Sequence, residues 1–144
     1  MNLTGVFIKA FEDMKKKAWD RVYVMIDLHG TIVKPVYREE ERYEFYPFAL
    51  EALRLMTNEP KISLILWTST YIEKIEKYLE VLRAEGVRFD QVNANLLEKS
   101  TDIQCFDKKP YFNVGIDDKF GFDPENDWEG LYRFLAEDAP NWLL

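Results

Sequence analysis

The stretch VYVMIDLHGTIV, residues 22–33, decides the fold of this chain. An almost continuous apolar run ends at Asp27 and gives way to a Gly-Thr turn, which is typical of a buried parallel strand followed by a loop. A second apolar strand ends at Asp117 and Asp118. A carboxylate at the end of a buried strand is poorly solvated unless a cation or a hydrogen-bond donor meets it. The two strand ends therefore predict a metal-assisted site that handles phosphate.

Strand and helix patterns alternate along the sequence. Apolar runs predict strands, and apolar residues spaced three or four apart predict helices. The predicted strands cover residues 22–27, 62–67, 88–92 and 112–116, and the predicted helices cover residues 5–19, 47–57, 71–85 and 127–136. No Pro/Gly/Ser-rich linker divides them. We therefore predict a single α/β domain over residues 1–144, with a doubly wound, Rossmann-like parallel sheet and helices on both faces.

Apolar spacing also predicts the buried face of each helix. The residues expected to face the core are Phe7, Phe11, Met14 and Ala18, then Ile72, Ile75, Leu79 and Leu82, and finally Trp128, Leu131 and Leu135. Thr70 and Glu73 have the spacing of a capping box, and Gly86 is the expected stop of the same helix. Residues 32–46 mix charged and aromatic side chains and predict an irregular hairpin or flap, whose aromatic rings either pack on the core or line a binding surface.

The candidate site residues fall at the carboxyl ends of the predicted strands, where parallel sheets bind their ligands. Phosphoryl transfer needs a nucleophile, charge neutralisation and proton management. Asp27 is the candidate nucleophile, and Asp117 and Asp118 are candidate ligands for Mg²⁺. Thr68 follows the apolar run ISLILW and is placed to donate its hydroxyl to a phosphoryl oxygen. Lys109 is placed to offset the charge of the phosphate.

Four motifs in order resemble those of the haloacid dehalogenase (HAD) superfamily, and specifically its small phosphatase-like members without a cap domain. IDLHGT resembles the first motif, Asp-x-Asp-Gly-Thr, and ILWTS resembles the strand that ends in Ser or Thr. KKPYFNVGIDD covers the lysine and the acidic pair of the family. The similarity runs from residue 21 to residue 136, so residues 1–20 form an N-terminal helix outside this core. No stretch between Thr31 and Ser63, or between Arg88 and Asp107, is long enough for a cap domain.

The resemblance assigns roles to particular residues. It implies an aspartyl-phosphate on Asp27, a phosphoryl-binding hydroxyl on Thr68 and a charge-neutralising Lys109, with Lys108 as a weaker alternative. It also implies that the substrate-binding residues are Gly30, Thr31 and Ser69. The implied ligands of Mg²⁺ are Asp27, the backbone carbonyl of His29, Asp117 and Asp118. The implied activity is hydrolysis of a phosphate monoester.

His29 is the chief departure from the family pattern, because it replaces the second Asp of the first motif. The resemblance gives that Asp the proton transfer and makes only its carbonyl a metal ligand, so the replacement affects proton transfer alone. An imidazole titrates near pH 6.5, and neighbouring carboxylates favour its charged form, which suits a general acid. A bound Mg²⁺ would instead favour the neutral form of the imidazole. The alternative is a catalytically impaired protein that acts as a metal- or phosphate-binding or interaction module. Thr70 is a second departure, since an Arg is common there.

Composition limits the partners. The 144 residues carry a formal net charge of −7, which argues against a nucleic-acid partner. The single cysteine, Cys105, rules out an intramolecular disulfide, and one Cys with one His nearly excludes a zinc site. The longest apolar run is far shorter than the roughly 20 residues of a membrane span, and the N-terminus lacks the features of a secretory signal. We expect a cytoplasmic protein that acts on a small phosphorylated substrate or a phosphoprotein, with homo-oligomerisation as a way to cover an open site.

Overall fold

The computed structural model describes residues 2–35 and 43–144. Its centre is a four-stranded sheet of β1 (Val22–Asp27), β2 (Ile62–Trp67), β3 (Gln91–Val92) and β4 (Val114–Ile116). The strand order is β3-β2-β1-β4, and every neighbouring pair is parallel. This order is the one that begins a Rossmann-like sheet. The predicted α/β class is confirmed, and the first two strands have the predicted bounds.

The helices precede or follow the strands as the sequence predicts. They are α1 (Leu3–Lys16), α2 (Ala49–Thr57), α3 (Ile72–Ala84), α4 (Asp127–Arg133) and α5 (Ala139–Trp142). A π-helical turn, Phe134–Asp138, joins α4 to α5. Pro140 lacks the N–H that would continue the regular hydrogen-bond pattern at this point. Within the described ranges, no helix has both the length and the apolar character needed to cross a membrane.

Hydrophobic side chains cover both faces of the sheet. Val22, Val24 and Ile26 of β1 point into the larger core cluster, to which all the buried helical side chains belong. The alternate residues Tyr23 and Met25 join Ile65 on the other face. That second cluster is covered by Trp67, Tyr111 and Phe112, so the irregular connection between β3 and β4 supplies part of its cover. Strand β1, buried on both faces, is therefore a rigid base for the loop that follows it.

Two residues of the predicted helix faces lie outside the core. Ala18 follows the end of α1, has a left-handed backbone with φ of 55° and is exposed. Ile72 is the first residue of α3, and 80% of its surface is exposed. Tyr78 occupies the buried face of α3 together with Ile75 and Leu82. The predicted face omits Tyr78, which lies three residues after Ile75 and therefore on the same side of the helix.

The predicted capping box of α3 is wrong. The N-cap is Tyr71, and no side chain caps this helix. The hydroxyl of Thr70 instead lies 2.7 Å from that of Thr68 and 3.2 Å from Nδ1 of His29. The hydroxyl of Thr70 is therefore engaged by Thr68 and His29 and does not cap α3. The predicted stop is confirmed, since Gly86 has a φ of +82° directly after the helix.

The two ends of the predicted flap pair in an antiparallel arrangement at Val33 and Phe45, and residues 36–42 lie outside the described residues. The N–H of Lys34 donates to the carbonyl of Glu44 at 2.8 Å, and that of Tyr46 donates to Ile32 at 3.1 Å. Tyr46 packs in the core, while Phe48 is more exposed and contacts Tyr132. Phe48 has a φ of 64°, so α2 begins after it rather than at the predicted Pro47.

Candidate active site

Three carboxylates meet where the strand order of the sheet reverses. The chain runs outward from β1 through β2 to β3 and then returns to place β4 on the other side of β1. Ligands of open α/β sheets bind at such a reversal, outside the carboxyl ends of the strands. Asp27 ends β1, and Asp117 and Asp118 follow β4. One carboxylate oxygen from each of the three residues lies within 4.8 Å of the others. The structure therefore brings together residues that are 90 positions apart in the sequence.

Burial, together with the crowding of negative charge, raises the pKa values of two of these carboxyl groups. Burial raises the pKa of Asp27 to about 6, and the charge of Asp117 adds to the effect. Burial also raises the pKa of Asp117, with Asp118 contributing. Like charges held together in a half-buried position favour a proton or a cation as neutralising partner.

Thr31 holds the cluster together from beneath. Its side chain is fully buried, and its hydroxyl oxygen lies 3.0 Å from Oδ2 of Asp27 and 3.0 Å from Oδ1 of Asp118. The same oxygen accepts the backbone N–H of Asp118 at 3.1 Å. A hydroxyl has one proton, so it can satisfy only one of the two carboxylates at a time. The indole N–H of Trp128 donates to the carbonyl of Thr31 at 2.7 Å and fixes this turn in the core.

Gly30 permits the close approach of the two acidic loops. Its φ is +81°, a backbone conformation that favours glycine. A Cβ atom at this position would lie 3.2 Å from Oδ2 of Asp118. The Gly-Thr pair after Asp27 therefore has a structural role: Gly30 provides the space and Thr31 provides the hydroxyl.

The donor set fits Mg²⁺. All three side chains offer carboxylate oxygens, which hard divalent cations prefer, and one or two such ligands plus water and substrate oxygens are usual for Mg²⁺. Two of the three have raised pKa values, so a cation would relieve a repulsion that the fold imposes. The carbonyl of His29 as a further ligand stays a prediction.

His29 faces α3. Its Nε2 atom lies 2.8 Å from the hydroxyl oxygen of Tyr78, and the two rings meet edge to face at 5.0 Å. Burial lowers the pKa of His29, and the charge of Lys74 lowers it further. The expectation that neighbouring carboxylates favour the charged imidazole is therefore wrong, because burial and a lysine dominate its surroundings. The neutral imidazole is favoured near neutral pH.

Thr68 lies at the end of β2 and is held there by Asn93. The Oδ1 atom of Asn93 accepts the N–H of Thr68 at 2.8 Å, and its Nδ2 donates to the carbonyl of Thr68 at 2.9 Å. Asn93 adopts a φ of 53°, which Asn tolerates better than most residues. Sequence reasoning missed this residue, although an Asn directly after a predicted strand was the available signal.

Among the described residues, no hydrogen bond or ion pair joins three of the predicted site residues to the carboxylates. Lys108, Lys109 and Ser69 are exposed, and none of them forms a hydrogen bond or ion pair with a described residue. Lys109 borders a surface cavity of about 380 Å³ that Cys105 and Phe112 also line. The choice between the two lysines stays open.

Fold and site together define an α/β protein with a Rossmann-like parallel sheet and an acidic cluster at its topological switch point. Among solved structures, the chain is similar to a conserved protein from Bacteroides thetaiotaomicron, with 33% sequence identity and a TM-score of 0.62. The match covers 81% of this chain and 91% of that one, and the chain belongs to the same family as that conserved protein. No family model matches the sequence, and no curated protein matches it.

Proposed function

We propose that this chain is a Mg²⁺-dependent phosphate monoester hydrolase of the HAD type that acts through an aspartyl-phosphate on Asp27. The observation that supports this proposal most strongly is the convergence of Asp27, Asp117 and Asp118 within 4.8 Å at the switch point of the sheet. Such a cluster suits a phosphoryl group together with a metal ion, because the three carboxylates would hold Mg²⁺ and the ion would supply positive charge toward the phosphate.

Asp27 is the nucleophile in this mechanism. Its carboxylate oxygen forms a bond to phosphorus while the bond from phosphorus to the ester oxygen breaks, and that oxygen takes a proton from protonated His29 and leaves as the alcohol. Water then attacks the phosphorus of the aspartyl-phosphate, which releases inorganic phosphate and restores the carboxylate. With a pKa of about 6, Asp27 is largely ionised near neutral pH and can attack. Thr31 orients this carboxylate through its 3.0 Å contact.

The remaining site residues bind the phosphoryl group and manage charge. The hydroxyl of Thr68 donates a hydrogen bond to a phosphoryl oxygen. Gly30 and Ser69 contact the substrate beside it. Lys109 has the role that the resemblance implies, which is to neutralise charge on the phosphate. Mg²⁺ held by Asp27, Asp117 and Asp118 would supply positive charge against the phosphoryl oxygens. The protonated form of His29 donates a proton to the leaving group, and the neutral imidazole, which burial and Lys74 favour, accepts a proton from the attacking water.

We propose the substrate and the partners from the absence of a cap, among the described residues, at the carboxyl edge of the sheet. The parts of the chain that the structure describes form no cap over the carboxylates. Such an edge accepts either a small phosphorylated compound or a phosphorylated side chain of another protein. A second copy of the chain could cover the site, which would make the active form a homo-oligomer. The chemistry suits the cytoplasm, where free Mg²⁺ and phosphate esters are present.

Trapping of the covalent intermediate tests the proposal. The protein is mixed with an aryl phosphate and MgCl₂, quenched in acid within milliseconds and analysed by intact-protein and peptide mass spectrometry. We expect one added phosphoryl group, mapped to Asp27, and none in Asp27→Asn. Asp102→Asn removes an exposed carboxylate outside the cluster and serves as the matched control. A phosphoryl group found elsewhere, or none at all, would overturn the proposed mechanism.

A second candidate is a non-catalytic module that binds a metal ion and phosphate. The observation that favours it is the surroundings of His29: both ring nitrogens have side-chain partners, and the neutral imidazole is favoured. A neutral imidazole is a poor general acid. This candidate predicts binding of Mg²⁺ and inorganic phosphate without turnover, and turnover that appears in His29→Asp.

A further inference from the structure

A chain of hydrogen bonds connects the end of β2 to the buried face of α3 through His29. The hydroxyl oxygens of Thr68 and Thr70 are 2.7 Å apart, and that of Thr70 lies 3.2 Å from Nδ1 of His29. The other ring nitrogen, Nε2, lies 2.8 Å from the hydroxyl oxygen of Tyr78. The N–H of Thr70 also donates to the hydroxyl oxygen of Thr68, at 3.1 Å. The hydroxyl groups and the imidazole can each donate or accept a hydrogen bond, whereas the N–H of Thr70 can only donate.

Two directions are available to this chain when the imidazole is neutral. If Nε2 carries the proton, Thr70 must donate to Nδ1, and the proton of Thr68 must then be used between the two threonines. If Nδ1 carries the proton, it donates to Thr70, whose proton goes to Thr68. In that case the oxygen of Thr68 accepts two hydrogen bonds and its own proton remains available for another acceptor.

The lengths of the two imidazole contacts favour the second direction. Hydroxyl donors form hydrogen bonds of about 2.5–3.0 Å, whereas N–H donors reach about 3.2 Å. The 3.2 Å contact is longer than usual for a hydroxyl donor and suits donation from Nδ1 to Thr70. The 2.8 Å contact lies within both ranges, so it fits the donation from the hydroxyl of Tyr78 to Nε2 that this direction requires. A phenol is also a more acidic donor than a threonine hydroxyl.

We propose that Tyr78 is a positioning residue that holds His29 as its Nδ1–H tautomer and thereby leaves the hydroxyl proton of Thr68 free to bind a phosphoryl oxygen. Tyr78 is buried, so it acts through His29 and does not touch the ligand. The assignment of the tautomer stands by itself, and the role of Thr68 toward phosphate rests on the proposed function. His29 then serves anion binding as well as proton transfer.

Nuclear magnetic resonance tests the tautomer directly, because His29 is the one histidine of the chain and gives a single set of imidazole signals. The protein with ¹⁵N-labelled histidine is measured at about pH 8, where an ordinary imidazole is neutral. We expect a protonated Nδ1 and an unprotonated Nε2 in the wild type, and a shift toward protonated Nε2 in Tyr78→Phe. A protonated Nε2 in the wild type would overturn the proposal.

Calorimetric titration with inorganic phosphate in the presence of MgCl₂ tests the consequence for Thr68. Loss of one hydrogen bond is expected to weaken phosphate binding about three- to tenfold in Tyr78→Phe and in Thr70→Val. Thr70→Ser keeps the hydroxyl and should restore the affinity. In a Thr68→Val background, Tyr78→Phe should have no further effect. Tyr132→Phe removes a phenol hydroxyl outside this network, on a ring that contacts Phe48, and is the matched control.

The outcomes separate the two claims. Wild-type affinity in both Tyr78→Phe and Thr70→Val would overturn the role of the hydrogen-bond chain. A wild type that binds no phosphate would overturn both the proposed function and the role of Thr68, while the NMR result would still decide the tautomer of His29. Thermal melting of each variant identifies any that fails to fold. If Tyr78→Phe does not fold, the phosphate affinities of Thr70→Ser and Thr70→Val are compared instead.

Discussion

Asn93 forms two hydrogen bonds with the backbone of Thr68, accepting its N–H at 2.8 Å and donating to its carbonyl at 2.9 Å. A side chain thus continues the hydrogen bonding of β2 and β3 for one residue beyond the strands. The backbone N–H of Asn93 in turn donates to Leu66 of β2 at 2.7 Å. The two hydrogen bonds of Asn93, which we call the Asn93 clamp, fix the position of Thr68, the residue that we propose binds the phosphoryl group. The end of β3 therefore helps to position a residue of the site.

Asn93→Ala should lower both stability and phosphate affinity. It removes two partly exposed hydrogen bonds and keeps a side chain at a φ of 53°, so we expect a loss of about 1–2 kcal/mol in the free energy of unfolding. Asn93→Gly also removes the bonds but tolerates this backbone conformation, and it should lose less. Urea denaturation measures the difference. Equal stabilities of wild type and Asn93→Ala would contradict the role of the clamp.

Gly30→Ala should disrupt the acidic cluster. The new Cβ would sit 3.2 Å from the carboxylate of Asp118, on a backbone with a φ of +81°. We expect a loss of about 1–2 kcal/mol in the free energy of unfolding and weaker binding of Mg²⁺. Gly130→Ala is the matched control, because Gly130 lies within α4 and a Cβ there meets no atom within 4 Å. That substitution should stabilise the helix by about 0.5–1 kcal/mol. Similar melting curves for the two variants would argue against the close approach of the acidic loops.

Mg²⁺ should stabilise the protein against heat. A ligand that binds only the folded state at about 100 times its Kd contributes about 2.7 kcal/mol, which raises the melting temperature of a domain of this size by about 5–10 °C. Asp118→Asn should lose most of this shift, since it removes one of the three carboxylates. Asp102→Asn should keep it. Differential scanning fluorimetry with and without EDTA measures the effect, and an equal shift in both variants would count against the site.

The raised pKa of Asp27 should make the metal-free protein less stable as the pH rises. The folded-state pKa is about 6, against an ordinary value of 3.8, so the folded state binds the proton more tightly than the unfolded state. The stabilising effect of that proton is complete below about pH 4 and is lost as the pH rises through about 6. Asp27→Asn lacks this titration, so its stability relative to the wild type should increase over the same range.

Urea denaturation of both proteins in EDTA, from about pH 4 to 7, gives the comparison. Taking the difference between variant and wild type removes the contribution of titrating groups that do not interact with Asp27, so the change with pH comes from Asp27 and its neighbour Asp117. With Mg²⁺ the sign should reverse, because the metal ion binds the ionised carboxylate and its affinity increases above about pH 6. A difference between the two proteins that does not change with pH would contradict the raised pKa of Asp27.

The sequence predicts the two central strands well, because β1 and β2 are read from local apolar runs, whereas β3 and β4 are shorter than the predicted ranges 88–92 and 112–116. Strands β1 and β2 have the predicted bounds, and the strand ends at Asp27 and Asp117 lead directly to the acidic cluster. Parallel strands buried on both faces leave few alternatives for such runs. The class of fold and the location of the carboxylates therefore follow from the sequence.

The surroundings of His29 could not be read from the sequence. Its partners come from Thr70 and from the buried face of α3, and only the packing of that helix brings Tyr78 to the imidazole. The capping box failed for the same reason, since the Thr70 hydroxyl has a tertiary partner that the local pattern does not reveal. The direction of the pKa shift of His29 likewise depends on burial and on Lys74.

The central claim is that Asp27 is the nucleophile of a Mg²⁺-dependent phosphatase, and phosphate release from an aryl phosphate tests it most directly. The wild type and Asp27→Asn are compared with MgCl₂ and with EDTA at about pH 7, where Asp27 is largely ionised. The account predicts turnover that requires Mg²⁺ and falls at least about a thousandfold in Asp27→Asn. A folded wild type that binds Mg²⁺ yet releases no phosphate would contradict it and favour the binding module.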